Sequence, residues 1–414
     1  MTIQNELCLP LPSLWGTKKR PHTAREWEYF RKPELLEIYS SQVYGRTPEG
    51  GSVLEVEEIS RNEAALGGLA TLSQLKVTLG GPLGTKAATL LLYTPNTASR
   101  STPAPAFVGL NFLGNHATTN DPTIVVSPGF VNEGVWDKSA AARGADAQCW
   151  PVQIPLEQGY AVATMHYANL EPDWRGYAAA GVRGLFNSAE ELDAPTPETW
   201  GAIGAWAWGL SRILDVLAQR PEIDASAVIA FGHSRLGKTA LWAAAQDPRF
   251  AAVIANNSGC CGAALFRHDT GETIARITHY FPHWFCKQLT SYADDALKTL
   301  PIDQHQLLGL IAPRPIHVTS STQDAYRREY VTTLYASPVM ELYNRHGTLP
   351  HKAANGGEDL SWEVAAQIPT PEPALRFGKQ LSFSLREGPH DLLAEDWRHF
   401  VAFADENIRR HRTS

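Results

Sequence analysis

The stretch from Ala227 to Gln246 constrains the fold more than any other, because a β-favouring run passes into a helix through a glycine, one residue and a serine. Ala227–Phe231 predicts a strand, and Gly232-His233-Ser234-Arg235-Leu236-Gly237-Lys238 opens a helix that runs on to Gln246. A nucleophile elbow needs that order: the serine sits on a tight strand-to-helix turn, its neighbours are small, and its hydroxyl is pushed clear of the backbone. The usual spacing is Gly-x-Ser-x-Gly; here the second glycine comes one place late, at Gly237. A bare Gly-x-Ser is common, and a plain strand–turn–helix with Ser234 as a helix cap reads the same way. Arg235 and Lys238 favour the elbow. Both fall in the first helical turn, where the helix dipole disfavours cations. A site that tolerates this cost meets negative charge, either an oxyanion or a carboxyl group.

The surrounding rhythm predicts the architecture. Thr23–Tyr44, with Trp27, Phe30, Leu35, Leu36 and Tyr39, reads as an N-terminal helix. Strands are expected at Ser52–Ile59, Gln74–Leu79, Ala87–Tyr93, Ala106–Asn111 and Tyr160–His166. After Trp200–Leu217, a helix by its apolar spacing, strands are expected at Ala251–Ala255, Pro315–Ser320 and Leu381–Leu385, with a closing helix at Trp397–Ile408. Strands alternating with crossover helices predict an α/β fold, a mainly parallel sheet sandwiched by helices in three layers. Functional groups then gather beyond the carboxyl ends of the strands. No internal repeat is visible. One catalytic domain over 1–414 is expected, with an N-terminal extension (about 1–50) and surface insertions (about 112–150).

Composition narrows the partners. The chain of 414 residues is 43% hydrophobic and 19% charged, with a formal net charge of −7, which argues against nucleic acid or an anionic membrane. No stretch reads as a membrane span, and Met1–Leu14 shows no secretory signal. Twelve Trp and thirteen Tyr suit either sugar platforms or core filling. Cys8, Cys149, Cys260, Cys261 and Cys286 have no metal-binding spacing; Cys260 or Cys261 could pair with Cys286 in an exported protein. His279 and His283 are four apart, but Pro282 interrupts their helix and no His-Glu-x-x-His is present, so no metal is expected.

A serine nucleophile needs a base, and the base needs an acid to orient it. In an α/β-hydrolase the acid and then the histidine follow the serine. Asp324 falls just past strand Pro315–Ser320, and His390 lies in the turn after Leu381–Leu385. Ser234, Asp324 and His390 thus occur in the required order, each just after a predicted strand. Alone, Asp324 reads as a turn cap and His390 as a loop residue; together they read as a triad.

These residues carry a resemblance. The run Gly232-His233-Ser234-Arg235-Leu236-Gly237-Lys238, with Asn257-Ser258-Gly259-Cys260, Gly271-Glu272-Thr273 and Phe281-Pro282-His283-Trp284-Phe285-Cys286, resembles carbohydrate esterase family 15, the glucuronoyl esterases, in a bacterial form. It extends over Leu300–His305, Ala312–Pro315 and Glu387-Gly388-Pro389-His390. The resemblance implies that Ser234 is the nucleophile, His390 the base and Asp324 the acid, with Arg235 helping to form the oxyanion hole. It implies that Lys238 and Glu272 bind the sugar. Tyr326 stands where the family usually has a sugar-touching tryptophan. Asn257 stands where fungal members place a glutamate, which leaves the acid's role to Asp324; Asp269 and Glu272 are the nearest substitutes.

The implied substrate is an ester between (4-O-methyl-)glucuronic acid on glucuronoxylan and an alcohol such as a lignin alcohol. No cofactor is needed, secreted or periplasmic placement is implied, and a monomer is expected. The rival expectations are an acetyl-xylan or other carbohydrate esterase with the same triad, and a non-catalytic carbohydrate-binding relative.

Overall fold

The computed structural model describes residues 12–15, 21–126, 129–131, 135–137, 143–267, 271–324, 329–345, 347, 372–373 and 376–409. Its central sheet is made of β1 (Ser52–Ala64), β2 (Ala70–Gly81), β3 (Gly84–Pro95), β4 (Ala104–Asn111), β7 (Ala161–His166), β8 (Ile223–His233), β9 (Ala252–Asn256), β10 (Ile316–Ser321), β11 (Arg376–Gly378) and β12 (Leu381–Arg386). A separate hairpin, β5 (Gly129–Val131) with β6 (Val135–Asp137), lies within the expected insertion. The strand order is β1-β2-β3-β7-β4-β8-β9-β10-β12-β11.

From β7 to β12 neighbouring strands run parallel, whereas β1, β2 and β3 form an antiparallel meander that joins β7 antiparallel, and β11 closes the other edge antiparallel. The difference follows from burial. Strands β4, β7, β9, β10 and β12 are buried throughout, as parallel strands covered on both faces must be. Edge strand β1 is mostly exposed, and short turns link the meander, which only antiparallel pairs allow.

Alternation along the strands sends side chains into two apolar layers. Val108, Ala230, Val253 and Val318 face one layer with Trp206 of helix Ala202–Leu217 and Trp242 of helix Arg235–Gln246. Phe107, Ile229, Phe231 and Ile254 face the other, with Trp397, Phe400 and Phe403 of helix Ala394–Ala404.

The N-terminal helix is not a plain α-helix. α-Helical Ala24–Glu26 and Lys32–Tyr39 alternate with π-helical Trp27–Arg31 and Ser40–Tyr44. Its buried residues Trp27, Arg31, Leu35, Tyr39 and Val43 recur every fourth position, a spacing wider than 3.6, and the wider π turns keep that stripe facing inward. Phe30, expected in the stripe, is exposed instead. Tyr44 stacks on Trp242 at 4.5 Å and ties this segment to the helix that follows Ser234.

Cys149, Cys260, Cys261 and Cys286 are free, which overturns the suggested pairing. Cys260 and Cys261 face each other at 3.9 Å, and the Cys286 thiol donates to the Ser41 carbonyl at 3.6 Å. Among the described residues no helix is long and apolar enough to cross a membrane.

Candidate active site

The carboxyl ends of the parallel strands bring the chemistry together. Ser234 follows β8 at φ 56° and ψ −127°, a left-handed conformation that costs energy for any residue with a Cβ and marks a functional turn. Its N–H donates to Asn256 O at 2.9 Å, and its carbonyl accepts from Gly237 N at 2.9 Å. The hydroxyl makes no capping hydrogen bond to the helix, so the cap reading fails. A methyl group at Gly232 would lie 2.0 Å from Leu236 O, so only glycine fits there. At Gly237 it would lie 3.0 Å from Ser258 Cβ, which places the late glycine against the neighbouring loop rather than in the turn.

His390, in the loop after β12, meets Asp324, in the loop after β10, through a 2.6 Å contact from Nδ1 to Oδ2. With the proton on Nδ1, the other ring nitrogen is free to accept one. Asp324 is buried, whereas the His390 side chain is 38% exposed. His390 and Ser234 line one cavity of about 350 Å³, together with Arg235, Phe112, Trp150 and Leu392. The ring of His233 lies 4.7 Å from that of His390. Burial pushes the His233 pKa down to about 4, so it stays neutral beside His390. Its Nδ1 donates to Asn256 Oδ1 at 2.5 Å.

Asn257 lies after β9 and is not an idle replacement. Its amide donates to Asp324 Oδ2 at 2.6 Å and to Ser321 Oγ at 2.8 Å. A glutamate at this position would set a second carboxylate against Asp324, whereas the amide supports the first. Glu329, also buried, accepts from Ser258 Oγ, Gly259 N and Ser320 Oγ at 2.6 to 2.7 Å and fixes the same loop. Burial pushes its pKa up to about 7.

The basic pair meets two carboxylates, as the sequence argument requires. Arg235 pairs with Asp173 and lies over the Trp284 ring at 4.7 Å, with Phe112 and Phe281 at 5.6 and 5.8 Å. Lys238 is buried, which rules out a solvated surface lysine; its Nζ donates to Ser258 O at 2.6 Å and lies 3.9 Å from Glu272. Burial raises the Glu272 pKa, and Lys238 opposes the shift. Tyr326 and Asp269 lie outside the described residues.

Asp173 is a site residue that sequence reading missed. Besides Arg235 it accepts from Trp284 Nε1 at 2.6 Å, His283 Nε2 at 2.8 Å and Tyr167 OH at 3.0 Å. Burial would raise its pKa, but His283 and Arg235 outweigh that and hold it at about 2. His283 thus serves a carboxylate rather than a metal. One signal was present in the sequence: a cation in a first helical turn demands a nearby anion.

The strand order, with a serine on a strand–turn–helix elbow after the central β8, defines an α/β-hydrolase. Comparison with known proteins sharpens the class. The family model described as "Glucuronyl esterase, fungi" matches residues 150–347. Carbohydrate esterase MZ0003, from an unknown prokaryotic organism, is 36% identical over 406 residues, which covers 96% of this chain and 89% of that protein. The 4-O-methyl-glucuronoyl methylesterase 1 of Wolfiporia cocos is 30% identical over 241 residues, 53% of this chain and 57% of its own length. The solved glucuronoyl esterase of Solibacter usitatus superposes with a TM-score of 0.87 at 34% identity, covering 98% of this chain and 99% of that one. The chain belongs to carbohydrate esterase family 15, the glucuronoyl esterases, and is a carboxylic-ester hydrolase.

Proposed function

We propose that this esterase cleaves esters of (4-O-methyl-)glucuronic acid, of the kind that join glucuronoxylan to lignin alcohols, in a secreted or periplasmic setting. The observation that carries the reading is the pairing of buried Lys238 with half-buried Glu272 beside the Ser234 elbow, where a charged donor and a carboxylate stand ready for sugar hydroxyls. A simple acyl group would have no use for them.

In this mechanism His390 takes the proton from Ser234 Oγ as the oxygen attacks the C6 carbonyl. The C–O bond forms, the carbonyl electron pair moves onto oxygen, and Arg235 with backbone N–H groups stabilises that charge, worth about 3 kcal/mol per donor. Collapse expels the alcohol, which takes the proton from His390. Water then attacks the glucuronoyl–Ser234 ester by the same steps, releasing the uronic acid and free Ser234. Asp324 holds His390 in the tautomer that accepts on Nε2 and stabilises the imidazolium.

Two substitutions test the division of labour. Arg235→Ala is expected to lower kcat and kcat/KM together on any ester, since its interaction belongs to the transition state. Lys238→Ala is expected to raise KM on methyl glucuronate and to change p-nitrophenyl acetate hydrolysis little. Equal loss on both esters would remove the case for a uronate pocket. Asp173→Asn keeps the size but removes the charge that holds Arg235. Its kcat is expected to fall about tenfold with KM nearly unchanged, because a misaligned oxyanion donor costs rate rather than binding. In an Arg235→Ala background the same change should have no further effect; additive losses would separate Asp173 from Arg235.

A further inference from the structure

We infer that Arg386 is the positioning residue that holds His390 against Asp324. The inference rests on the proposed triad and concerns a side chain that touches neither substrate nor reacting atoms. Arg386 ends β12 and is 2% exposed, an unusual place for a guanidinium. Its Nε donates to Asp396 Oδ2 at 3.0 Å. The other two nitrogens turn into the loop that carries the base: Nη1 donates to Glu387 O at 2.8 Å, and Nη2 donates to Pro389 O at 2.8 Å and Asp391 O at 3.1 Å. The carbonyls on both sides of His390 are therefore held by one nitrogen of one rigid, planar group.

The loop is sewn to the acid's loop as well. Thr322 N donates to Arg386 O and Gln323 N to Gly388 O, each at 2.9 Å, while Gly388 N donates to Thr322 Oγ1 at 3.0 Å. Gly388 has φ 114°, and a methyl group there would sit 3.0 Å from Arg386 Nη1, so the glycine admits the guanidinium beneath the turn. Asp396 completes the support. It accepts from Leu393 N at 2.8 Å at the start of the last helix and from Asn256 Nδ2 at 3.3 Å, and Asn256 in turn holds His233 beside His390. The acid and the base thus come from two different loops: backbone bonds join the loops, and Arg386 with its three carbonyl bonds fixes the shape of the one that carries His390. Lysine cannot replace it: an ammonium is a point charge and cannot fork to Asp396 and three carbonyls at once.

The test is Arg386→Lys in the full chain, assayed on p-nitrophenyl acetate so that the outcome does not depend on the sugar, with His390→Ala beside it. Arg386→Lys is expected to lower kcat about 10- to 100-fold, the range for a catalytic group displaced by an ångström, with KM within a few-fold of wild type. A fall in melting temperature with unchanged kcat would overturn the inference. If Arg386→Lys does not fold, Asp396→Asn removes the charge that anchors Arg386 Nε. It should lower kcat several-fold with KM nearly unchanged, and an unchanged kcat would overturn the inference. An active His390→Ala would instead refute the triad itself, which separates the two failures.

Discussion

Ser234→Ala is expected to abolish ester hydrolysis while leaving the fold and melting temperature close to wild type. The hydroxyl is the only group lost, and it makes no capping bond on which the helix depends. The left-handed backbone is held by Asn256 O and Gly237 N, which an alanine would leave in place. Removing a triad nucleophile leaves only binding and oxyanion stabilisation, a loss of roughly a million-fold in kcat. The measurement is turnover of methyl glucuronate by the purified variant, with circular dichroism as the control for folding. Near-normal turnover by a folded variant would remove Ser234 from the chemistry.

Asp324→Asn is expected to cost about 10⁴-fold in kcat, because an amide favours the wrong histidine tautomer and cannot stabilise the imidazolium. The geometry makes the loss severe. Asp324 Oδ2 accepts from both His390 Nδ1 and the Asn257 amide, each at 2.6 Å. An asparagine that keeps its oxygen toward Asn257 still lacks the charge His390 needs, and one that flips sets two amide donors against each other. Asp269→Asn should remain within a few-fold of wild type. The reverse pattern, with Asp324→Asn active and Asp269→Asn dead, would reassign the acid.

The elbow was legible because three local signals agree there: a β-favouring run, a glycine with no room for a side chain, and a helix-compatible run that begins at Arg235. The helix Arg235–Gln246 has the expected bounds. Strands β4, β7, β9, β10 and β12 were expected to within one or two residues, since apolar runs between turn signals are short and sharply bounded. The helices Gln304–Ile311 and Glu329–Glu341 were not seen. Both are buried on nearly every side, so neither shows an amphipathic period, and Glu329–Glu341 carries an internal Pro338 and several β-branched residues. The antiparallel meander was expected as strands but not as a meander, because direction is a tertiary property.

The same split holds for the site. Asp324 and His390 were singled out by their order and their places after strands, and the structure brings these two side chains into contact. Asp173 and Arg386 were missed for different reasons, one because its partner is far along the chain and the other because its partners are mostly main-chain atoms. Asp173 meets Arg235 across 62 positions, and Arg386 acts on backbone carbonyls, which leave no mark on side-chain identity. Asn257 was read as a missing acid, when its amide donates to the Asp324 carboxylate.

The most direct test of the uronoyl esterase reading is a comparison on the wild-type protein: initial rates of benzyl alcohol release from benzyl glucuronate and of acetate release from acetylated xylan, measured side by side. A glucuronoyl esterase built on Ser234, His390 and Asp324, with Lys238 and Glu272 on the sugar, releases benzyl alcohol rapidly and acetate slowly. It also loses the first activity in Ser234→Ala. Rapid acetate release with no benzyl alcohol would assign the same triad to a different carbohydrate ester, and no turnover of either would contradict the account.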